Sequence, residues 1–558
     1  MKVHELITLV KEKKSKFIVI TGGVRSSIGK GVLVSSLGVL LKNAGYAVAV
    51  AKWDPYLNVD PGTMSPLEHG EVFVTGDGAE TDLDLGHYER ILGISLTKDS
   101  SVSSGQIFQE ILEGERKGTF LGKCIQLVPH VFEAIKKRLL AFAIKQQSDF
   151  VLIEIGGTVG DIEGQVFLEA IRQIRMQLGY GMIFHGHLSY VPLLEWTGEV
   201  KTKPTQHSVN ALKEGGLVPD CLFLRASKLV PSKSLEKLAQ LCGVDQQLIF
   251  QVLTYNPLYQ LFLDLKEQGV AERIQNYFKL STHEPDLTAW QALLRKIEYC
   301  KKTVKIALVA KYVGSNDPYI SVVEATKSAA FHGGYRSEII VIEAEHLEKN
   351  DPKGQEAWEN IKKSDGIIVP GGFDKRGSEG KIEAVRWARE HKIPYLGLCL
   401  GMQMMIVEFA RSLVGLKEAN TTEFIKNTPH PVIALLDEQK EVAYKGGSMR
   451  LGALECELIP ETKAYSAYQQ RIIVERHRHR YEFNNHYKKA FEQVGVVFSG
   501  IYKAENLVEV AELKDHPFMV GTQFHPEFLS SPLHPHPLFK AFIKAALAIK
   551  EKNKEHSV

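Results

Sequence analysis

KFIVITGGVRSSIGKGVLVSSLGVLLKNAG, residues 16–45, decides the fold of the first part of this chain. The β-branched run 16–21 predicts a short buried strand, and the glycines after it a tight turn. From Val32 to Asn43 the apolar spacing predicts a helix, closed by Gly45. Strand, glycine-rich turn and helix in that order make a phosphate cradle. Glycines expose backbone N–H groups, the helix amino end favours anions, and Lys30 reaches the outer phosphates. The loop departs from the G-x-x-x-x-G-K-[ST] pattern: five residues separate Gly23 from Gly29, and Gly31 follows Lys30. Ser26 or Ser27 is left to supply any hydroxyl.

Working outward, 303–311 (TVKIALVAK) looks like a second opening strand. Before it, 286–302 carries Trp290, Leu293, Leu294 and Ile297 at helical spacing. Single cores stop growing near ~250–300 residues, so a 558-residue chain predicts two domains. We expect the first over 1–285, a linker helix over 286–303, and the second over 304–558. Further buried parallel strands are expected at 46–51, 150–155, 182–187, 220–224, 366–369 and 394–398, mostly separated by helical patterns. The fold class is therefore α/β: a P-loop-type doubly wound domain followed by a second α/β domain. Ligands in such sheets sit at the carboxyl ends of the strands.

Composition is that of a globular protein, 44% apolar and 24% charged with a net charge of +2, which gives no electrostatic reason to expect nucleic acid or a membrane as partner. The six cysteines are scattered, with no C-x-x-C pair, so a reducing cytoplasm is expected. The opening MKVHELITLVKEKKSKF is charged and amphipathic, unlike a signal peptide. No apolar run approaches the ~18–20 residues that span a bilayer.

Residues 397–401, Gly-Leu-Cys-Leu-Gly, have the spacing of a nucleophile elbow between the strand 394–398 and a helix. A helix amino terminus behind Cys399 is expected to lower its thiol pKa from ~8.5 toward roughly 3.5–7.5. The thiolate can attack a glutamine side-chain amide, with backbone N–H groups stabilising the oxyanion. The leaving ammonia needs a proton donor, and that donor needs an orienting group; His525 and Glu527 of Phe-His-Pro-Glu (524–527) supply both. Pro526 is expected to hold the chain extended, so that the two side chains project to one side.

Residues 304–545 resemble the class I glutamine amidotransferases, in VPGGFDKRG (369–377), GLCLGMQ (397–403), TTEF (421–424), RHRHRYEFN (476–484) and QFHPEF (523–528). The resemblance implies Gly372 at the oxyanion, and Leu400, Gly401, Met402, Gln403, Glu423 and Arg480 around glutamine. An arginine fork suits its carboxylate and Glu423 its ammonium. The histidines of RHRHR and of HPHP (534–537) are read as loop and packing chemistry rather than as metal ligands.

In KWDPYLNVDPGTMSPLEHGEVFVTGDGAETDLDLGHYER (52–90), Glu80, Asp82 and Asp84 alternate, so an extended chain would point them the same way, an arrangement suited to magnesium. Glu154 ends the strand FVLIEI, where a buried carboxylate needs a cation or donor. With GGTVGDIE (156–163) and GEVKTKPTQHS (198–208), these segments resemble the CTP synthase family over nearly the whole chain. That resemblance implies amination of UTP to CTP with ATP and glutamine, through UTP phosphorylated at O4 and ammonia passed inside the molecule.

For site residues it implies magnesium on Asp84 and Glu154. ATP falls on Ser27, Ile28, Gly29, Lys30, Gly31, Val32 and Asp84, with Lys52 nearby and the adenine at Leu253, Thr254 and Tyr255. UTP, or CTP as inhibitor, falls on Ser26, Asp161, Ile162, Glu163, Lys201, Thr202, Lys203, Pro204, Thr205, Gln206 and Lys237. It further implies GTP as activator and a homotetramer able to form filaments, with no nucleic-acid or membrane partner. The chain departs from the family pattern at Asp374, where Gly is usual, at Cys124, where Thr is usual, and at Arg25 inside the phosphate loop. Other ATP-driven amidase fusions, such as cobyrinic acid amide synthases, would share the loop and the elbow but not PGTMSP or KTKPTQHS. A filament-forming scaffold without activity would not need the acid, base and nucleophile all present here.

Overall fold

The computed structural model describes residues 1–194, 196, 198–314, 317–435 and 449–555. The chain divides into two compact units, Met1–Pro61 with His87–Leu294 and Gly62–Gly86 with Arg295–Val558.

The first unit holds β1 (Lys16–Gly22), β2 (Val48–Asp54), β3 (Ser101–Ser103), β4 (Phe150–Ile155), β5 (Ile183–Tyr190), β6 (Cys221–Ala226) and β7 (Ile249–Leu253). They form one parallel sheet in the order β7-β6-β5-β1-β4-β2-β3. A parallel sheet is covered on both faces, which is why its central strands read as continuous apolar runs. Phe17–Ile20 of β1 and Phe150–Ile153 of β4 are fully buried. Two helices matter for the site: α1 (Lys30–Asn43), which follows β1, and α2 (Lys203–Glu214), which follows β5. The expected strands at 46–51, 182–187 and 220–224 start one or two residues later and run two or three residues further. β3 and β7 went unread, because Ser101–Ser103 is too short and polar to carry a pattern and Ile249–Leu253 lies in a stretch with no clear signal.

The second unit carries a nine-stranded sheet. Its strands are β8 (Lys302–Ala310), β9 (Tyr335–Glu343), β10 (Gly366–Val369), β11 (Tyr395–Leu398), β12 (Arg450–Leu458), β13 (Ile472–His479), β14 (Val496–Tyr502), β15 (Leu507–Leu513) and β16 (Met519–Thr522). The order is β9-β8-β10-β11-β16-β15-β14-β12-β13, parallel from β9 to β16 and antiparallel beyond. Helices α3 (Ser378–Glu390) and α4 (Leu400–Phe409) flank β11 in sequence.

The helical stretch expected over 286–302 is the helix Thr288–Tyr299. The division between the units falls inside it. In the first unit Trp290 packs its ring at 4.8 Å from Phe262 and 5.3 Å from Tyr259. In the second, the carbonyl of Ile297 accepts from Arg336 Nη2 at 3.3 Å.

Gly62–Gly86 belongs to the second unit although its sequence interrupts the first. Its short strands Phe73–Val74 and Glu80–Thr81 pair antiparallel. Arg476 Nη1 donates to the Val74 carbonyl at 2.6 Å, Arg478 Nε to Glu80 Oε1 at 2.8 Å, and the Ala453 amide to the Gly76 carbonyl at 2.9 Å. A Cβ on Gly452 would stand 2.7 Å from the Gly78 nitrogen, so bare backbone is required at that contact. The extended reading of Glu80, Asp82 and Asp84 is corrected here. Only Glu80–Thr81 is extended, and Leu83 already starts the helix Leu83–Leu92, with Asp84 in its first turn. Glu80 is held by Arg478, and Asp82 lies 3.0 Å from His69.

Ile153, fully buried in the central strand β4, tests how strongly the first core is packed. Ile153→Ala should cost about 2–5 kcal/mol through lost burial and a residual cavity, read as an earlier urea unfolding transition of the first unit.

Candidate functional site

β11 ends at Leu398 and α4 starts at Leu400, so Cys399 makes the turn alone, at φ 51° and ψ −103°. A non-glycine residue in that region is strained, and the surrounding packing must hold it there. The flanking glycines are forced by backbone proximity. A Cβ on Gly401 would lie 2.0 Å from the Val369 carbonyl oxygen, and one on Gly397 would lie 2.7 Å from the Gly401 carbonyl carbon. The amide of Cys399 is committed to the Thr522 carbonyl at 2.7 Å. The next amide, that of Leu400, sits in the open first turn of α4, where a helix has no internal partner for it.

His525 Nδ1 lies 2.7 Å from Glu527 Oε1. Burial opposes a charge on His525, but Glu527 and the hydrogen-bonded Cys399 outweigh it and raise the imidazole pKa to about 10. His525 therefore stays an imidazolium through neutral pH, ready to give up a proton. Pro526 does not hold the chain extended as expected; Pro526–Leu529 is a turn of 3-10 helix. Its tight rise, rather than an extended backbone, brings Glu527 back to His525.

Around the sulfur, Gln523 Nε2 donates to Cys399 Sγ at 3.7 Å, and Gln403 Nε2 donates to the Tyr481 carbonyl at 3.1 Å. Leu400, Gly401, Met402 and Gln403 form the first turn of α4, with the Met402 side chain packed into the core. Glu423 Oε1 accepts from the Asp374 amide at 3.0 Å. Burial raises the Glu423 pKa against the pull of that amide, of Lys311 and of Arg480. Asp374 sits at φ 76°, a left-handed conformation that glycine adopts at less cost. Lys311 Nζ donates to the Phe373 carbonyl at 3.0 Å and to that of Asp374, and burial lowers its pKa to about 8. Fully buried Lys381 donates to the Pro370 carbonyl at 3.0 Å, at the base of the Gly371–Gly372 loop beside Cys399.

A cavity of about 70 Å³ opens on Cys399, Gly371, Gly372, His525 and Arg478. Pro66, Glu71 and Val72 form another part of its wall. Glu71 is pinned there by Ser321, whose amide donates to Oε1 at 3.2 Å and whose hydroxyl donates to Oε2.

In the first unit, the loop between β1 and α1 turns through left-handed residues Val24, Ser27 and Gly29. Lys30 Nζ donates to the Gly157 carbonyl at 2.7 Å. Arg25 lies 5.5 Å over the Tyr190 ring. Beneath the loop, Thr21 Oγ1 lies 2.9 Å from both His185 and His187, and His187 lies 2.8 Å from Ser208 of α2. Burial depresses both imidazole pKa values to about 3, with Lys30 adding to the effect at His187, so both rings are neutral.

The residues expected around nucleotides follow the carboxyl ends of successive parallel strands: Ser26–Val32 after β1, Asp161–Glu163 after β4, Lys201–Gln206 after β5, Lys237 after β6, and Leu253–Tyr255 at the end of β7. Lys201 Nζ lies 2.7 Å from Glu199, and Thr205 accepts from Ser189 at 3.0 Å. Glu154, at the same edge, accepts from the Tyr88 hydroxyl. Lys52 lies 3.6 Å from Asp54. Asp84 belongs to the second unit, and Glu154 to the first.

Residues 16–280 match the CTP synthase N-terminus family, and residues 316–545 match the class-I glutamine amidotransferase family. A CTP synthase of Caldanaerobacter subterraneus is 50% identical over 541 residues, covering 97% of this chain and 100% of its own. One from Dehalococcoides mccartyi is 51% identical over 532 residues, covering 95% and 97%. The chain belongs to the CTP synthase family. A solved glutaminase domain of the Trypanosoma brucei CTP synthase with bound acivicin is 36% identical over 44% of this chain and 94% of its own, at a TM-score of 0.41.

As a CTP synthase family member, the chain is a glutamine-hydrolysing ligase that aminates UTP to CTP, and the family uses ATP. Among the described residues, no helix is long and apolar enough to cross a membrane. Four residues beside Cys399 escaped the sequence reading. Arg478 and Gln523 lay inside the quoted motifs RHRHRYEFN and QFHPEF, so the signal was present. Lys311 closes an expected strand, and nothing in the sequence around Lys381 marks it.

The His525 geometry gives a pH prediction. Its raised pKa keeps the imidazolium through neutral pH and loses it as pH approaches 10, while the stability the pair contributes is full below about pH 6.5 and is lost as pH rises from there through 10. Glu527→Gln should move the basic limb of glutaminase kcat/KM to lower pH and cut kcat by ~10²–10⁴-fold, measured as glutamate release from pH 6 to 10.

Proposed function

We propose that the reaction runs as thiolate attack on glutamine, confined passage of ammonia, and displacement of phosphate from UTP activated at O4. The supporting observation is the His525–Glu527 pair closed on Cys399 in a cavity walled in part by Pro66, Glu71 and Val72 of the Gly62–Gly86 segment.

Cys399 Sγ attacks the amide carbon, and the charge developing on oxygen meets the Leu400 amide and the backbone at Gly372. His525 gives its proton to the leaving nitrogen, so ammonia departs and a thioester remains. Water, deprotonated by His525, releases glutamate. Glu423 and Arg480 grip the amino-acid end of the substrate. Val72 and its neighbours separate the nascent ammonia from bulk water, where it would be protonated or lost.

At the nucleotide edge, UTP O4 attacks the γ-phosphorus of ATP, forming an O–P bond as ADP leaves. Ammonia then adds at C4, and phosphate carries away the old oxygen. Lys30, Lys52 and the backbone N–H groups of Ser27–Gly31 neutralise the phosphates, while Lys201–Gln206, Ser26, Asp161–Glu163 and Lys237 hold UTP, or CTP as inhibitor. Leu253–Tyr255 border the adenine. Asp84 and Glu154 offer the hard oxygen donors that magnesium takes, and Glu154 is buried at a strand end where a cation balances its charge. Bound there, the ion would neutralise charge during phosphoryl transfer. On this reading 1–285 is the synthetase domain, 286–303 the linker and 304–558 the amidotransferase. GTP activates, the enzyme is a cytoplasmic homotetramer, and filaments are a further assembly.

Cys399→Ala should abolish CTP formation from glutamine and leave ammonia-dependent formation within about twofold, followed by ultraviolet absorbance as UTP becomes CTP. Loss of both activities would contradict separable sites. Glutamine turnover with no conversion of UTP from either nitrogen source would refute the reading altogether.

A further inference from the structure

A second cluster of chemistry-bearing side chains lies in the second unit, in the antiparallel half of its sheet. His477 and His479 of RHRHR, expected as loop and packing residues, lie instead on strand β13, where they alternate and share a face, and Glu509 comes from β15. All three are buried, with His477 and Glu509 at 0% exposure. His477 Nδ1 lies 2.9 Å from His479 Nε2 and 3.6 Å from Glu509 Oε2, and one ligand atom from each of the three residues lies within 4.8 Å of the others.

The hydrogen-bonding groups around them do not close on themselves. Arg450 Nη1 donates to Oε1 of both Glu482 and Glu509 at 2.8 Å, leaving the other oxygen of each carboxylate without a hydrogen-bond partner among the described residues. His479 Nδ1 lies 3.3 Å from Glu482 Oε1 without a hydrogen bond between them, and its Nε2 faces His477. If His477 Nδ1 carries a proton toward that Nε2, His477 Nε2 becomes a buried acceptor with no donor. If His479 Nε2 carries the proton instead, its Nδ1 lone pair is set against the Glu482 oxygen. In both tautomers Glu509 Oε2 stays unpaired. A buried polar atom without a partner is costly, and here the orphaned Glu509 Oε2 faces two imidazole nitrogens that share a single proton.

We infer that His477 Nδ1, His479 Nε2 and Glu509 Oε2 form a binding site for a divalent cation of the zinc class. Two imidazoles and one carboxylate suit zinc, cobalt or iron(II), and not magnesium, which prefers all-oxygen shells. Bonds of ~2.0–2.2 Å to a tetrahedral centre put ligand atoms ~3.3 Å apart, between the two separations seen here. Glu482 supplies the outer carboxylate that fixes a metal-binding histidine's tautomer. Arg450 occupies the far oxygen of Glu509 and leaves Oε2 open. One arginine against two carboxylates leaves a deficit of one positive charge, which a dication more than covers.

The role is structural. β13 continues into Arg478, whose carbonyl lies 3.7 Å from Cys399 Sγ, and the Arg476 carbonyl accepts from the His525 amide at 2.8 Å. A metal pinning His477 and His479 would fix the strand against which both catalytic groups rest.

The test is titration of the full-length, chelator-treated protein with cobalt(II) alone, in excess magnesium, for both wild type and Cys399→Ala. One equivalent is expected in each, with visible d–d bands and no thiolate charge-transfer band. Glu509→Gln should weaken binding at least ~100-fold and Glu482→Gln ~10–100-fold. Cobalt anomalous density in wild-type crystals should fall between the three named atoms, which decides the matter even where a variant fails to fold. No stoichiometric uptake by wild type, undiminished uptake by Glu509→Gln, or density at another place would overturn the inference.

Discussion

Both chemistries depend on a parallel strand that delivers its chain into a helix within a few residues, at the carboxyl edge of the sheet. At β11 the handover takes the single residue Cys399, and at β1 it takes the loop from Gly23 to Gly29. The constraint is steric before it is chemical. Backbone so close to backbone excludes side chains at Gly397 and Gly401, and the helix start leaves amides without internal partners. On the proposed reading those amides meet negative charge, an oxyanion in one unit and phosphates in the other.

The second unit is built so that its polar interior supports Cys399 from several directions. His525 rests on Glu527, Gln523 on the sulfur, Lys381 on the Pro370 carbonyl, and Arg476 and Arg478 on Val74 and Glu80. Removing one partner of such a buried set leaves another unpaired, so these residues act together rather than additively.

Much of this was legible in the residues. The buried parallel strands announce themselves as apolar runs, because both their faces are covered. The elbow and the His-Pro-Glu triplet are short enough for local sequence to carry their geometry, although Pro526 acts through a helical turn and not an extended one. The antiparallel half, β12 to β15, was not legible. Its strands carry Glu475, His477, His479 and Glu509 inside the protein, and their polarity is met by partners distant in sequence, such as Arg450 for Glu509 and His536 for Glu475. The hairpin pairs at Phe73–Val74 and Glu80–Thr81 stayed hidden for the same reason: what holds them is Arg476 and Arg478, some four hundred positions away.

That long-range tie has a consequence for cutting the molecule. A protease acting between Leu294 and Arg295 would not free an intact amidase, because the Gly62–Gly86 stretch would leave with the other piece. Arg476, Arg478 and Ser321 would lose their acceptors, and the chamber at Cys399 would lose Pro66, Glu71 and Val72. The severed half would still hold its nucleophile, but it would spill its product into solvent as ammonium. If ammonia is confined as proposed, containment is a property of continuity between distant stretches of polypeptide, not of the hydrolytic half by itself.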